Sequence, residues 1–240
     1  MKGVIPPGWE VPERFRQRTG QNAGRQRAMA DSGHLLIILH EVPSPAEPDE
    51  RKARLFWRNA EGTWKSSGLG SGIQALKQHV QQYDDALESM EKSLSQVKRA
   101  DDCFAALQTL APLWRSSRGM HVALQQAREL GGDDRDVIAE RDHAYDLERA
   151  AELLHQDAQH RLAHLTARRA EEQSEQAHQM ARSAHRLNML AAVFFPLTAI
   201  AALFDMNLRH PLASFDGLWP WLTVVGVSVL FGLILRRVVR

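Results

Sequence analysis

Arg186 to Asn207 reads RLNMLAAVFFPLTAIAALFDMN. From Leu187 to Phe204 this stretch carries no charge. As a helix it covers roughly 27 Å, close to the hydrocarbon thickness of a bilayer, about 30 Å. A second uncharged run, GLWPWLTVVGVSVLFGLIL, extends from Gly217 to Leu235. The pair predicts two membrane-spanning helices, 187–204 and 217–235. A buried soluble hairpin is the alternative, but little chain follows to cover it. The segment between them, DMNLRHPLASFD at 205–216, is too short for a domain, so the spans form a tight hairpin. Arg182 and Arg186 precede the first span, and Arg236, Arg237 and Arg240 follow the second. The positive-inside bias then places both termini in the cytoplasm, with Arg209 of the loop opposing it weakly. Trp219 and Trp221 open the second span, where interfacial aromatics belong.

The chain upstream is of different character, and the averages conceal this. Over 240 residues the hydrophobic share is 44%, the charged share 25% and the mean hydropathy −0.37. Thirty Lys and Arg against 29 Asp and Glu give a net charge of +1. That balance lacks the basic excess of a dedicated nucleic-acid binder. A lone cysteine, Cys103, rules out an internal disulfide framework or a Cys-rich metal cluster and suits a reducing compartment. The opening MKGVIPPGWEVPERFR has no apolar core of a secretory signal.

Residues 1–33 read as a flexible basic arm, with Lys2, Arg14, Arg16, Arg18, Arg25 and Arg27 against Glu10 and Glu13. Residues 34–132 read as a small cytoplasmic α/β domain. His34–His40, HLLIILH, is a short continuous apolar run suited to a buried strand. Arg54–Trp57 and Thr63–Ser67 flank the turn Asn59-Ala60-Glu61-Gly62. Three strands are too few to stand alone, so they should pack on the helices that follow. The Gly68–Gly72 cluster lacks the Lys and Ser/Thr of a phosphate loop and reads as a linker or helix start.

Apolar residues at Ile73, Leu76, Val80, Tyr83, Leu87, Met90, Leu94 and Val97 predict a helix from 73 to about 111. Pro112 is expected to kink or end it, and a further helix covers 113–130. Gly131-Gly132 stops that one, and Asp133 and Asp134 offer N-caps for the next. From there no stop signal precedes Pro196. One helix of about 70 residues is predicted, roughly 105 Å long, with 133–186 as a stalk before the first span. Such a helix needs partners, so self-association is expected.

Steps of three and four along that helix trace one seam: His160, Ala163, Ala167, Ala170, Ser174, Ala177, Ala181, Ala184, Asn188, Ala191, Phe195, Thr198, Ala202 and Asp205. A coiled-coil dimer would place Leu and Ile there. Small residues on this stripe suit either close helix contact in lipid or the wall of a lumen. Asp205, on the same stripe at the membrane exit, favours the lumen, since a ring of carboxylates concentrates cations. A bulkier seam, Leu147, Ala151, Leu154, Ala158, Leu162 and Leu165, precedes it.

The strings Phe194-Phe195-Pro196-Leu197-Thr198-Ala199-Ile200-Ala201 and Phe204-Asp205-Met206-Asn207, followed by a short loop, a second span and a basic tail at 236–240, resemble the CorA superfamily of divalent-cation channels and transporters. The resemblance is close over about 180–240. It implies a mainly α membrane protein: a small N-terminal antiparallel β unit, a cytoplasmic helical funnel, and one very long helix continuing into the first span. It further implies a homopentamer in a bacterial inner membrane, passing Mg2+, or Zn2+, Co2+ or Ni2+, passively through a central pore. No covalently bound cofactor is implied; the divalent cation is cargo.

By motif position, Met206 and Asn207, with Asp205 in place of the family's Gly, would form the pore mouth. Ala184, Leu187, Asn188, Ala191, Phe195, Thr198 and Ala202 would line the pore, with Leu187 or Asn188 at a cytoplasmic gate. The seam drawn from spacing alone includes Asn188, Phe195 and Thr198. Asp205 adds charge where Gly would ease a turn; Ala202 also stands at a family Gly. The loop has Arg209 and His210 with one acid, Asp216, beyond Asp205. Only 34–67 corresponds to the family's larger cytoplasmic α/β domain, so its regulatory metal sites are not carried over. Within the superfamily the resemblance leaves a zinc-transporting branch, ZntB, open on equal terms.

The eleven histidines include His143, His155, His160, His164, His178 and His185 on the long helix. His160 and His164, one turn apart, are candidate metal ligands, although no carboxylate motif completes the site. Glu171, Glu172 and Glu175 beside Arg168 and Arg169 read as a solvated, salt-bridged face. No nucleotide-binding, kinase or catalytic-triad pattern occurs, so an enzyme is not expected. The competing function is a membrane-anchored pentameric sensor or scaffold with little flux.

Overall fold

A computed structural model describes residues 4–22, 24–44, 51–68, 70, 72–132 and 134–205, except the side chains of 193, 200, 201 and 203–205. It also describes 219, 222–223, 225–227, 229–230 and 234. The chain divides into two compact units, 1–167 and 168–240.

The first unit opens with a short helix, α1 (Glu13–Arg18), and a four-stranded antiparallel sheet in sequential order. Its strands are β1 (Arg27–Asp31), β2 (His34–His40), β3 (Ala53–Arg58) and β4 (Trp64–Ser66). β2 supplies the register, pairing Ile37 with Ala28 on one side and with Phe56 on the other. Its unbroken apolar run is explained by burial on both faces. Leu35, Ile37 and Leu39 join Phe56 in the main core; Leu36 and Ile38 join Met29, Leu55 and Trp57 on the opposite face.

That opposite face corrects the expectation of a free arm over 1–33. Ile5, Trp9 and Phe15 cover it, Phe15 being 1% exposed, and the Trp9 ring stacks on Trp57 at 5.7 Å. A sheet apolar on both sides needs two covers, and the N-terminal segment is the second. β1 is a fourth strand that the sequence reading missed. It closes on β2 through Ser32 and Gly33, with φ of 51° and 76°. This is the two-residue geometry whose twist matches a hairpin.

Three helices cover the other face: α2 (Gln74–Gln96), α3 (Ala100–Gly131) and the start of α4 (Arg135–Asp205). The expected apolar face of α2 is present, with Leu76, Val80, Tyr83, Leu87 and Leu94 buried. The break before α3 falls at 97–99, where Val97 and Arg99 are extended, and not at Pro112. Asp101 and Asp102 lie in the first turn of α3, favourable to the helix dipole. Pro112 sits inside α3 and is buried, so its lost hydrogen bond is offset by packing. Gly132, at φ 76°, caps α3, and Asp134 Oδ1 accepts from the amides of Asp136 and Val137 to start α4.

Within this unit Leu147, Ala151 and Ala158 of α4 are buried in the main core, and Leu154, Leu162 and Leu165 pack against it. The bulkier seam is thereby used inside the chain. Cys103 Sγ donates to the Ala158 carbonyl at 3.3 Å, and an Arg161 guanidinium donates to the Leu94 carbonyl.

A polar knot joins sheet to helices. Tyr83 Oη donates to the His40 carbonyl at 2.9 Å and lies 2.6 Å from Ser116 Oγ. His79, fully buried, lies edge-on to Phe56 and Tyr83. Burial, reinforced by the Arg54 guanidinium, holds its pKa down at about 3 from an ordinary 6.5.

In the second unit, α4 remains helical to Asp205, through Pro196. Among the described residues no helix is long and apolar enough to cross a membrane. The first expected span includes side chains, and the second whole residues, outside those described.

Two outcomes follow. Phe15→Ala should destabilise the chain by about 3 kcal/mol in denaturant unfolding, whereas a free arm would make the substitution silent. Between about pH 6.5 and 3 the unfolded chain holds a proton on His79 that the native chain does not. Stability should therefore fall on acidification below about 6.5, by up to about 1.4 kcal/mol per pH unit. His79→Phe should flatten that slope; an unchanged slope would contradict it.

Candidate functional site

The site anticipated from the sequence lies on α4. A helix advances 100° per residue, so positions three and four apart share a face. The seam residues from His160 to Thr198, and Ala202, are all exposed. Phe195 is 75% exposed, and Leu187, Leu190 and Phe194 also present large apolar side chains. Every side chain from Thr166 to Asn188 is exposed. The described part of α4 in the second unit thus presents an exposed stripe of Ala, Ser, Asn and Thr, with Phe195 as its one large apolar residue.

Ala184, Asn188, Ala191, Phe195, Thr198 and Ala202 fall on one stripe of α4. Leu187 is rotated by about 100° from Asn188 and belongs to the flank of that stripe. Thr198 Oγ1 donates to the Phe195 carbonyl at 3.0 Å. Its proton is committed to the backbone, while its oxygen keeps acceptor capacity. Asn188 adds an amide oxygen about two turns from Phe195. Asp205 is the last residue of α4; its side chain, and Met206 and Asn207 altogether, lie outside the described residues.

His160 and His164 are exposed, and among the described residues no group of three or more His, Cys, Asp or Glu could hold a metal ion. Other histidines of the first unit serve packing. The His155 ring stacks on Trp114 at 5.1 Å, and His121 Nδ1 lies 2.6 Å from Glu148 Oε2.

The sequence reading missed a cleft in the first unit, about 450 Å³, lined by Arg25, Arg51, Arg115 and Arg118. These residues come from three separate stretches, so no local motif announces them.

Several solved structures resemble the chain, among them the following three. The ZntB cytoplasmic domain from Vibrio parahaemolyticus RIMD 2210633 has a TM-score of 0.55 at 13% identity, covering 68% of this chain and 80% of that one. The full-length CmaX protein has a TM-score of 0.60 at 15% identity, covering 96% and 82%. The CorA magnesium transporter from Methanocaldococcus jannaschii has a TM-score of 0.45 at 16% identity, covering 95% and 83%. The first two establish a shared fold. No curated protein matches the chain in sequence. The CorA-like Mg2+ transporter protein family matches residues 32–240, nearly the whole chain, and the chain belongs to that family.

Proposed function

We propose that this chain is a membrane-embedded homopentamer that passes divalent cations into the cytoplasm through a central pore lined by the α4 stripe. Mg2+ is the first expected cargo, with Zn2+, Co2+ or Ni2+ next. The observation that carries this reading is the uncovered stripe of small and oxygen-bearing residues on the end of α4. A 3.5-residue repeat drifts about 20° per heptad on a straight helix. Copies keep such a stripe on a common axis by winding left-handedly around it.

In that ring each residue has a distinct task. Small side chains at Ala184, Ala191 and Ala202 leave room for water and ion. The oxygens of Asn188 and Thr198 replace part of the hydration shell, and Phe195 makes a dry constriction. Asp205, with Met206 and Asn207, forms the mouth, where five carboxylates raise the local cation concentration. Residues 187–204 and 217–235 span the bilayer with both termini on the cytoplasmic side of a bacterial inner membrane. The partners are other copies of the chain, lipid and the cation; no nucleic acid is involved. Catalysis has no role here, and the family's transport character supports that.

Asp205→Asn and Ala191→Leu should each lower divalent-cation uptake at least tenfold, with Gln179→Ala, off the stripe, unchanged. Uptake untouched by both would remove the stripe from the pathway and favour the sensor or scaffold. In a Cys103→Ser background, Ala177→Cys and Ala184→Cys should be joined between copies by a short bis-maleimide, and Gln179→Cys should not. Equal cross-linking at all three positions would contradict the seam as the axis-facing stripe.

A further inference from the structure

The cleft in the first unit lies where the end of β2 and the segment before β1 meet the middle of α3. Its walls carry Arg25, Arg51, Arg115 and Arg118. Arg115 and Arg118 are three apart on α3, so their guanidiniums lie on one helix face. The carboxylate in the lining, Glu41, is already engaged, accepting from Arg54 at 2.8 Å. Glu148 reaches Arg118 only loosely, at 3.7 Å. Among the described residues no ion pair engages Arg25, Arg51 or Arg115.

The floor is built with care. Gln26 Nε2 donates to the Ser116 carbonyl at 2.8 Å, and Gln26 Oε1 accepts from the His40 amide at 3.2 Å. A Cβ at Gly119 would stand 2.6 Å from Gln26 Nε2. A glycine in mid-helix costs roughly 1 kcal/mol against alanine. Here it leaves room for the amide that closes the cleft's floor.

We propose that this cleft binds a compact soluble anion of two or more charges, carried on phosphate or carboxylate groups. Guanidinium forks match both groups bidentately. About 450 Å³ falls within the range of small-molecule sites and is concave, unlike a surface that meets a flat bilayer. The lining has no Phe, Tyr or Trp, so nothing offers a stacking face for a base. Charge and its spacing are what the cleft reads. This assignment is independent of the pore.

Titration calorimetry on the full-length, detergent-solubilised protein at fixed ionic strength tests it, with inorganic pyrophosphate and citrate as probes. One site per chain is expected. Arg25→Gln and Arg115→Gln should each weaken binding about tenfold or more, and Arg128→Gln, on α3 outside the cleft, should leave it unchanged. Preference for pyrophosphate or for citrate assigns the charged group, and adenosine diphosphate should bind no tighter than pyrophosphate. Absence of binding by both probes would overturn the proposal, as would equal affinity in all three variants. Binding that emerges only when Glu47, Asp49 and Glu50 are neutralised together would also overturn it, because the chain's own acids would then be the occupant.

Discussion

A helix of many turns is not stable in water without something to lean on. In α4 every side chain from Thr166 to Asn188 is exposed. On the proposed account, neighbours for those turns come from other copies of the chain. The 3.5-residue repeat decides which face they meet, and small side chains on that face decide how closely they approach. The same stripe continues past Asn188 into the uncharged stretch, where Phe195 and Thr198 occupy its positions. In the proposed pentamer a single periodicity would govern both association in water and the composition of the inner wall in lipid. That economy is the physical content of the transport proposal.

The first unit shows how the other end of α4 is held. A four-stranded sheet apolar on both faces is covered by α2, α3 and α4 on one side and by Ile5, Trp9 and Phe15 on the other. The Leu-rich seam of α4 is used here, against its own chain, and is not available to other copies. The small-residue seam begins at His160, overlaps the last packed residues Leu162 and Leu165, and runs on beyond them. On the proposed account, the Leu-bearing seam serves contact within the chain and the Ala-bearing seam contact between copies.

Much of this was legible in the sequence. β2 was visible because burial on both faces leaves an unbroken apolar run, and α4 because its caps and its lack of stops are local features. β1 was not, because Arg27 and Asp31 bracket a short Ala-Met-Ala core that resembles the basic residues before it. The Ser32-Gly33 pair was the signal that could have found it. The break at 97–99 has neither Gly nor Pro, whereas Pro112 suggests a break that a 32-residue helix with a buried ring does not need. The stripe was readable because periodicity is a sequence property. The arginine cleft was not, because convergence of distant residues is a property of the fold.

The most direct test is influx of Mg2+, Zn2+, Co2+ and Ni2+ into proteoliposomes holding the unaltered protein, against empty vesicles. The account predicts a clear influx of at least one of these ions down its gradient without nucleotide. An intact oligomer that passes none of the four would contradict it.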